Sequence, residues 1–239
     1  MANDQGIELI LNRLNEWRHF PDYQLERRFD IFLSFYLPEI IRKKTNNCNI
    51  LDEILPEFPV PKRLFNDDLQ NTNNKTEFYK VDFVMSDNGD NIYFIEFKTD
   101  NRSRSSKQDI RMRKIEKHEV EFISIVKVLI YHCCEGNREK YYKILQSLAN
   151  WGYIEEESFI SLMKQLYDEE YFDIGDTNLG LTIKDEIKNN ILFIQPTNPT
   201  GDNNVIDYDF IINNLDWNED DVLGMAIKKY LEKWKDAPL

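Results

Sequence analysis

Apolar residues recur at two different periods along the chain, and each change of period marks a change of element. Residues 4–17 set Ile7, Ile10, Leu11 and Leu14 at helical spacing, with Asp4 as the N-cap. Residues 22–37 set Leu25, Phe29, Phe32 and Tyr36 at i, i+4, i+7 and i+11; Pro38 ends or kinks that helix. Residues 44–76 are irregular and rich in Asn, Pro and Asp, with 50–55 and 58–60 readable as short strands or as turns. Two apolar, aromatic-rich runs follow, 78–85 and 92–98, around Ser86-Asp87-Asn88-Gly89-Asp90-Asn91. Asn-Gly tolerates the positive φ of a tight turn, so the pattern predicts a β-hairpin.

Helical spacing returns over 105–134, through Met112, Ile115, Phe122, Val126, Leu129 and Cys133, with a bend expected near His118. Residues 137–151 and 156–167 predict two more helices, and 190–196 a short buried strand closed by Pro196. Residues 208–215 and 220–234 predict two terminal helices. The order describes a mixed α/β fold with a central sheet. No repeat or low-complexity linker divides the 239 residues, so a single domain is expected.

Composition narrows the classes. Apolar residues reach 41%, with 15 Phe and 12 Tyr, enough for a sizeable core, and 8 Gly and 8 Pro argue against disorder. The N-terminus lacks the basic start and apolar run of a signal peptide, and no apolar stretch reaches membrane-spanning length, so a cytoplasmic protein is expected. Cys48, Cys133 and Cys134 have neither a disulfide nor a zinc spacing, and buried, reduced thiols are expected. His19, His118 and His132 are scattered without ligand spacing. The chain has no phosphate-binding glycine loop and no Gly-x-Ser-x-Gly elbow.

The net charge of −13 disfavours a nucleic-acid partner taken alone, but it is unevenly spread. Residues 101–117 carry seven basic residues (Arg102, Arg104, Lys107, Arg111, Arg113, Lys114, Lys117) against Asp109 and Glu116. Residues 202–221 carry seven acids and no base. The basic segment follows directly on the chain's most unusual strand.

That strand is Ile95-Glu96-Phe97-Lys98. Side chains alternate along a strand, so Glu96 and Lys98 share one face while Ile95 and Phe97 take the apolar one. Two charges on one face of a hydrophobic strand are costly to bury without a purpose or a partner. The hairpin puts Asp82 on the adjacent strand. Two carboxylates with a backbone carbonyl and waters suit Mg²⁺ or Mn²⁺, and a nearby lysine can orient water or meet charge on a phosphoryl group. An ion-pair cluster on a half-exposed sheet stays open as the alternative.

Asp82 followed, after a hairpin, by Glu96-x-Lys98 resembles the signature of the PD-(D/E)xK nuclease superfamily, and the stretch from Lys98 to Gln108 resembles its uncharacterised prokaryotic members. Val81 stands where the motif has proline. Helix 22–37 carries Glu26, helix 105–134 carries Gln108, and strand 190–196 would complete an αβββαβ core. The resemblance implies a restriction-endonuclease-like fold with its core at about 22–196 and a helical elaboration at about 205–235. It implies metal-dependent cleavage of nucleic acid, DNA ahead of RNA, in a restriction, repair, defence or mobile-element setting. Asp82 and Glu96 would ligate Mg²⁺ or Mn²⁺, Lys98 would be the catalytic lysine, Glu26 an outer carboxylate and Gln108 a positioning residue. Arg102, Arg104, Lys107, Arg111 and Lys114 are the expected nucleic-acid contacts. The competing expectation is a catalytically weak or inactive domain that binds nucleic acid or protein, as a homodimer or beside a partner subunit.

Overall fold

The hairpin is present. β1 (Leu55–Pro61), β2 (Phe78–Ser86), β3 (Asn91–Phe97), β4 (Lys188–Gln195) and β5 (Val205–Asp207) lie in that order in one five-stranded mixed sheet. The helices are α1 (Ala2–Trp17), α2 (Glu26–Ser34), α3 (Leu37–Thr45), α4 (Ser106–Glu116), α5 (Phe122–Cys134), α6 (Arg138–Asn150), α7 (Glu156–Asp168), α8 (Tyr208–Asn214) and α9 (Val222–Lys235). The computed structural model describes residues 2–17, 26–65, 77–100, 105–134, 138–168, 182–184 and 186–235. No described helix is long and apolar enough to cross a membrane.

Local chemistry explains the sheet. Four residues join β2 to β3, a link short enough to force antiparallel pairing. The Asp87 carboxylate organises that turn, accepting from Gly89 N at 3.0 Å, Asn91 N at 3.1 Å and Asn91 Nδ2 at 2.6 Å. Asn88, rather than Gly89, takes the left-handed φ of 57°. A Cβ on Gly89 would lie 3.1 Å from Asp87 Oδ1, so the glycine leaves room for the carboxylate. β1 pairs antiparallel with β2, and as an edge strand it tolerates Pro56, Pro59 and Pro61.

β4 runs parallel to β3. Lys188 N donates to Asp90 O at 2.6 Å, and Lys98 N donates to Ile194 O at 2.8 Å. Both bonds fit one parallel register, in which residue 90 faces 187 and residue 98 faces 195. A parallel partner requires a long crossover, which the chain makes through α4 to α7. β5 then pairs parallel with β4.

The described chain divides into two units, each assembled from separated segments. One comprises Met1–Asp52, Ile95–Asp109 and Leu192–Leu239; the other comprises Glu53–Phe94 and Ile110–Ile191. The core of the first centres on aromatic rings. Phe29 lies against Phe97 at 6.0 Å and against Trp234 at 4.7 Å between ring centroids, and all three are essentially buried. The second unit has its own buried network, where the Tyr153 hydroxyl donates to Asn91 O at 2.8 Å and lies 2.8 Å from Ser86 Oγ.

Several helical expectations are corrected. Pro38 begins a helix instead of ending one: it lies in the first turn of α3, where its missing N–H costs nothing. The buried stripe there is Phe29, Leu33 and Leu37; Phe32 is only half-buried. On α1, Leu11 and Leu14 are buried while Ile10 is exposed. The helix expected over 105–134 is two helices, broken at His118 with φ 57°. Asn189 Nδ2 donates to Ile115 O at 3.0 Å and ties down the carbonyl near the end of α4. Cys133 is buried as expected, but Cys48 is exposed.

Candidate functional site

Glu96 and Lys98 are brought together. Glu96 is 1% exposed and Lys98 4%, and Lys98 Nζ lies 3.4 Å from Glu96 Oε2. Alternation along β3 produces this placement: Phe97, between them, turns to the other face and meets Phe29 of α2. The strand therefore anchors by its apolar face and carries two charges on the other. Burying a carboxylate and an ammonium costs several kcal/mol apiece before their attraction is counted. A pair of apolar side chains would hold a sheet as well or better, so these charges are not explained by stability.

The backbone of Lys98 is held on both sides. Its N–H extends the β3–β4 ladder to Ile194 O. Its carbonyl accepts from the Tyr208 hydroxyl at 2.9 Å. Tyr208 is fully buried at the start of α8, whose N-cap is Asp207; the Asp207 carboxylate accepts from Phe210 N at 2.7 Å. Nothing in the periodicity of 208–215 marks Tyr208 as a partner of residue 98. β5, only three residues long, falls within the acidic stretch and leaves no alternating pattern to read.

Asp82 belongs to the other unit, half-buried on β2. The register pairs Pro56 with Phe83 and Phe58 with Val81, which sets Glu57 level with Asp82. Glu57 holds a left-handed φ of 50° inside a strand, uncommon for a residue with a Cβ, and bonds Lys80 Nζ at 2.7 Å. The sequence carries no signal for that distortion.

Glu26 is the first residue of α2. Phe29, one turn on, puts α2 on the Phe97 side of β3, opposite Glu96 and Lys98. Gln108 is half-buried in the first turn of α4, where its backbone N–H bonds Ser105 Oγ at 3.2 Å and so serves as part of the N-cap.

The basic segment is less available than its charge count implies. The Arg111 guanidinium lies over Phe65 at 5.8 Å and Tyr79 at 5.5 Å, and Lys114 Nζ donates to Phe65 O at 2.6 Å. Arg113 pairs with Glu116 at 2.9 Å. Lys107 and Lys117 are exposed. Arg102 and Arg104 lie outside the described residues.

Among the described residues, no group of three or more His, Cys, Asp or Glu side chains is arranged to hold a metal ion. Such a group is what a structural or catalytic zinc needs. Mg²⁺ asks less of the protein: it keeps several waters and leans on one or two carboxylates and on substrate phosphates. Asp82 and Glu96 each carry hard oxygen donors of the kind such an ion prefers. Comparison with protein-family models, with curated proteins and with solved structures finds no match to this chain.

Proposed function

We propose that the chain is a Mg²⁺- or Mn²⁺-dependent phosphodiesterase acting on nucleic acid, with DNA as the expected substrate. The observation that carries this reading is the buried Glu96–Lys98 pair on one face of β3. The order of elements supports it: α2 precedes an antiparallel β1-β2-β3 meander, and a helical crossover leads to β4, parallel to β3. That order resembles the αβββαβ core of the PD-(D/E)xK superfamily, with Asp82, Glu96 and Lys98 as the counterparts of its motif residues.

In this reading Asp82 and Glu96 are the metal ligands, and the ion supplies charge for the phosphate oxygens and acidifies water. Lys98 holds a fixed positive charge beside Glu96, aimed at oxygens that gain negative charge as the phosphodiester bond breaks. A fixed charge in a water-poor site acts more strongly than the same charge in bulk water, and it needs no reorganisation during the reaction. Glu96 has two roles, as ligand and as the counter-charge 3.4 Å from the buried Lys98 ammonium.

A second reading keeps the fold as a binding module with weak or no cleavage. The net charge of −13 and the engagement of Arg111 and Lys114 by Phe65 and Tyr79 favour it. Incubation with plasmid, linear and single-stranded DNA and with RNA, with Mg²⁺, Mn²⁺ or chelator, decides between them. Metal-dependent cleavage abolished by Asp82→Ala supports the enzyme. Cleavage of no substrate with either metal leaves the binding module.

A further inference from the structure

We infer that Tyr208 is a positioning residue for Lys98, installed because Pro196 cannot do the job. The inference rests on the nuclease reading only for its catalytic consequence. Its structural part follows from the β3–β4 ladder. In a parallel ladder, a bonded residue receives one bond from its partner strand and gives one to it. Residue 98 faces residue 195, so Lys98 N should bond Ile194 O, and it does, at 2.8 Å. The reciprocal bond should run from the N–H of residue 196 to Lys98 O. Residue 196 is proline and has no N–H.

That gap falls at Lys98, the residue whose side chain carries the charge. A buried carbonyl left without a donor would pull its segment toward water. Tyr208 fills the gap from a different element. Its hydroxyl reaches Lys98 O at 2.9 Å, and the residue is wholly buried. Its backbone is fixed as well: Tyr208 N approaches Pro196 O at 3.4 Å, and Asp207 caps the helix that Tyr208 opens. The ladder bond that a strand would have made is thus replaced by a side-chain bond from α8. The Lys98 carbonyl is held by a bond that the Tyr208 hydroxyl supplies.

Position matters for this group. Lys98 acts on charge that develops at particular oxygens, and small displacements of such a group are costly in rate. Loss of the Tyr208 hydroxyl should leave the charge present and its aim relaxed.

Tyr208→Phe removes the one oxygen and keeps the ring that fills the core. Two readouts apply. The first is the lysine side-chain NMR signal of Lys98, identified by its disappearance in Lys98→Met. It should shift and broaden in Tyr208→Phe while the other lysine signals stay in place. The second is steady-state cleavage, where kcat should fall on the order of 10-fold with KM unchanged. An unmoved Lys98 signal overturns the inference, and so does an active Tyr208→Phe enzyme with wild-type kcat. A wild-type protein that cleaves nothing removes the nuclease reading instead, and the Lys98 signal still decides whether Tyr208 holds that residue.

Discussion

Phe97 and Phe29 face each other with ring centroids 6.0 Å apart, on the side of β3 away from Glu96 and Lys98. This packing makes the apolar face of β3 the anchor for its charged face. Both rings are buried, and Phe29 also meets Trp234. Phe29→Ala should therefore cost about 3–5 kcal/mol, as a large core truncation that leaves a cavity. Denaturant titration of the two proteins measures it. A destabilisation under about 1 kcal/mol would mean α2 does not anchor β3.

Lys98→Met should do two things at once. Cleavage should fall by about 10²–10³, the usual effect of deleting one transition-state electrostatic group. Stability should fall by about 3–5 kcal/mol as well, because removing one member of a buried ion pair is strongly destabilising. Adding Glu96→Gln should recover much of the stability and none of the activity. Melting curves and cleavage rates on the three variants separate the two effects. A double variant that regains activity would remove Lys98 from the chemistry.

Nucleic-acid docking is expected at the exposed cations of the basic segment. Lys107→Glu and Lys117→Glu should weaken binding and flatten its salt dependence, by a slope of roughly 0.9 for each phosphate no longer neutralised. Arg111→Ala should lower the melting temperature instead, since its guanidinium covers two aromatic rings in the folded protein. Fluorescence anisotropy over a salt series, with melting curves on the same variants, tests the division. Equal affinity and slope in wild type and Lys107→Glu/Lys117→Glu would put the nucleic-acid backbone elsewhere.

Alkaline unfolding should involve Tyr153 and Tyr36. Burial pushes the Tyr153 phenol well above its ordinary range, against the opposing bond with Ser86. Burial, then the bond to Asp221, raises Tyr36 likewise. A phenol held protonated in the folded state contributes fully below the unfolded pKa of about 10, and that contribution fades as pH rises past it. The melting temperature should therefore begin to drop near about pH 10 and keep falling as pH rises toward the raised folded-state values. The drop should be smaller in Tyr153→Phe, although that variant starts from a lower stability. An equal drop in both would assign the alkaline limb to other groups.

Much of the centre of the fold was legible because alternation is a short-range signal. Val81, Phe83, Ile95 and Phe97 announce two strands, and the intruding Glu96 and Lys98 announce a charged face. The same rule fails for β5, whose three residues are too few to alternate. It fails differently at residues 105–134, where apolar spacing continues through His118 although the backbone turns left-handed there. Formal charge also misled: Arg111 and Lys114 count as cations in the sequence but are held against Phe65 in the fold. Tyr208 was invisible for a deeper reason. Its role depends on a proline twelve residues before it and a carbonyl 110 residues before it, and no local pattern joins the three.

That separation of 110 residues also has a meaning in time. A ribosome adds roughly 5–20 residues per second, so Lys98 leaves it about 5–20 s before Tyr208 does. For most of that interval the hairpin bearing Glu96 and Lys98 has neither β4 nor α8 beside it. Its two charges then help a hydrophobic strand with an open edge to stay in water, as charged residues on exposed edges do elsewhere. The pair proposed as catalytic in the finished protein would serve, in the growing one, as protection against aggregation.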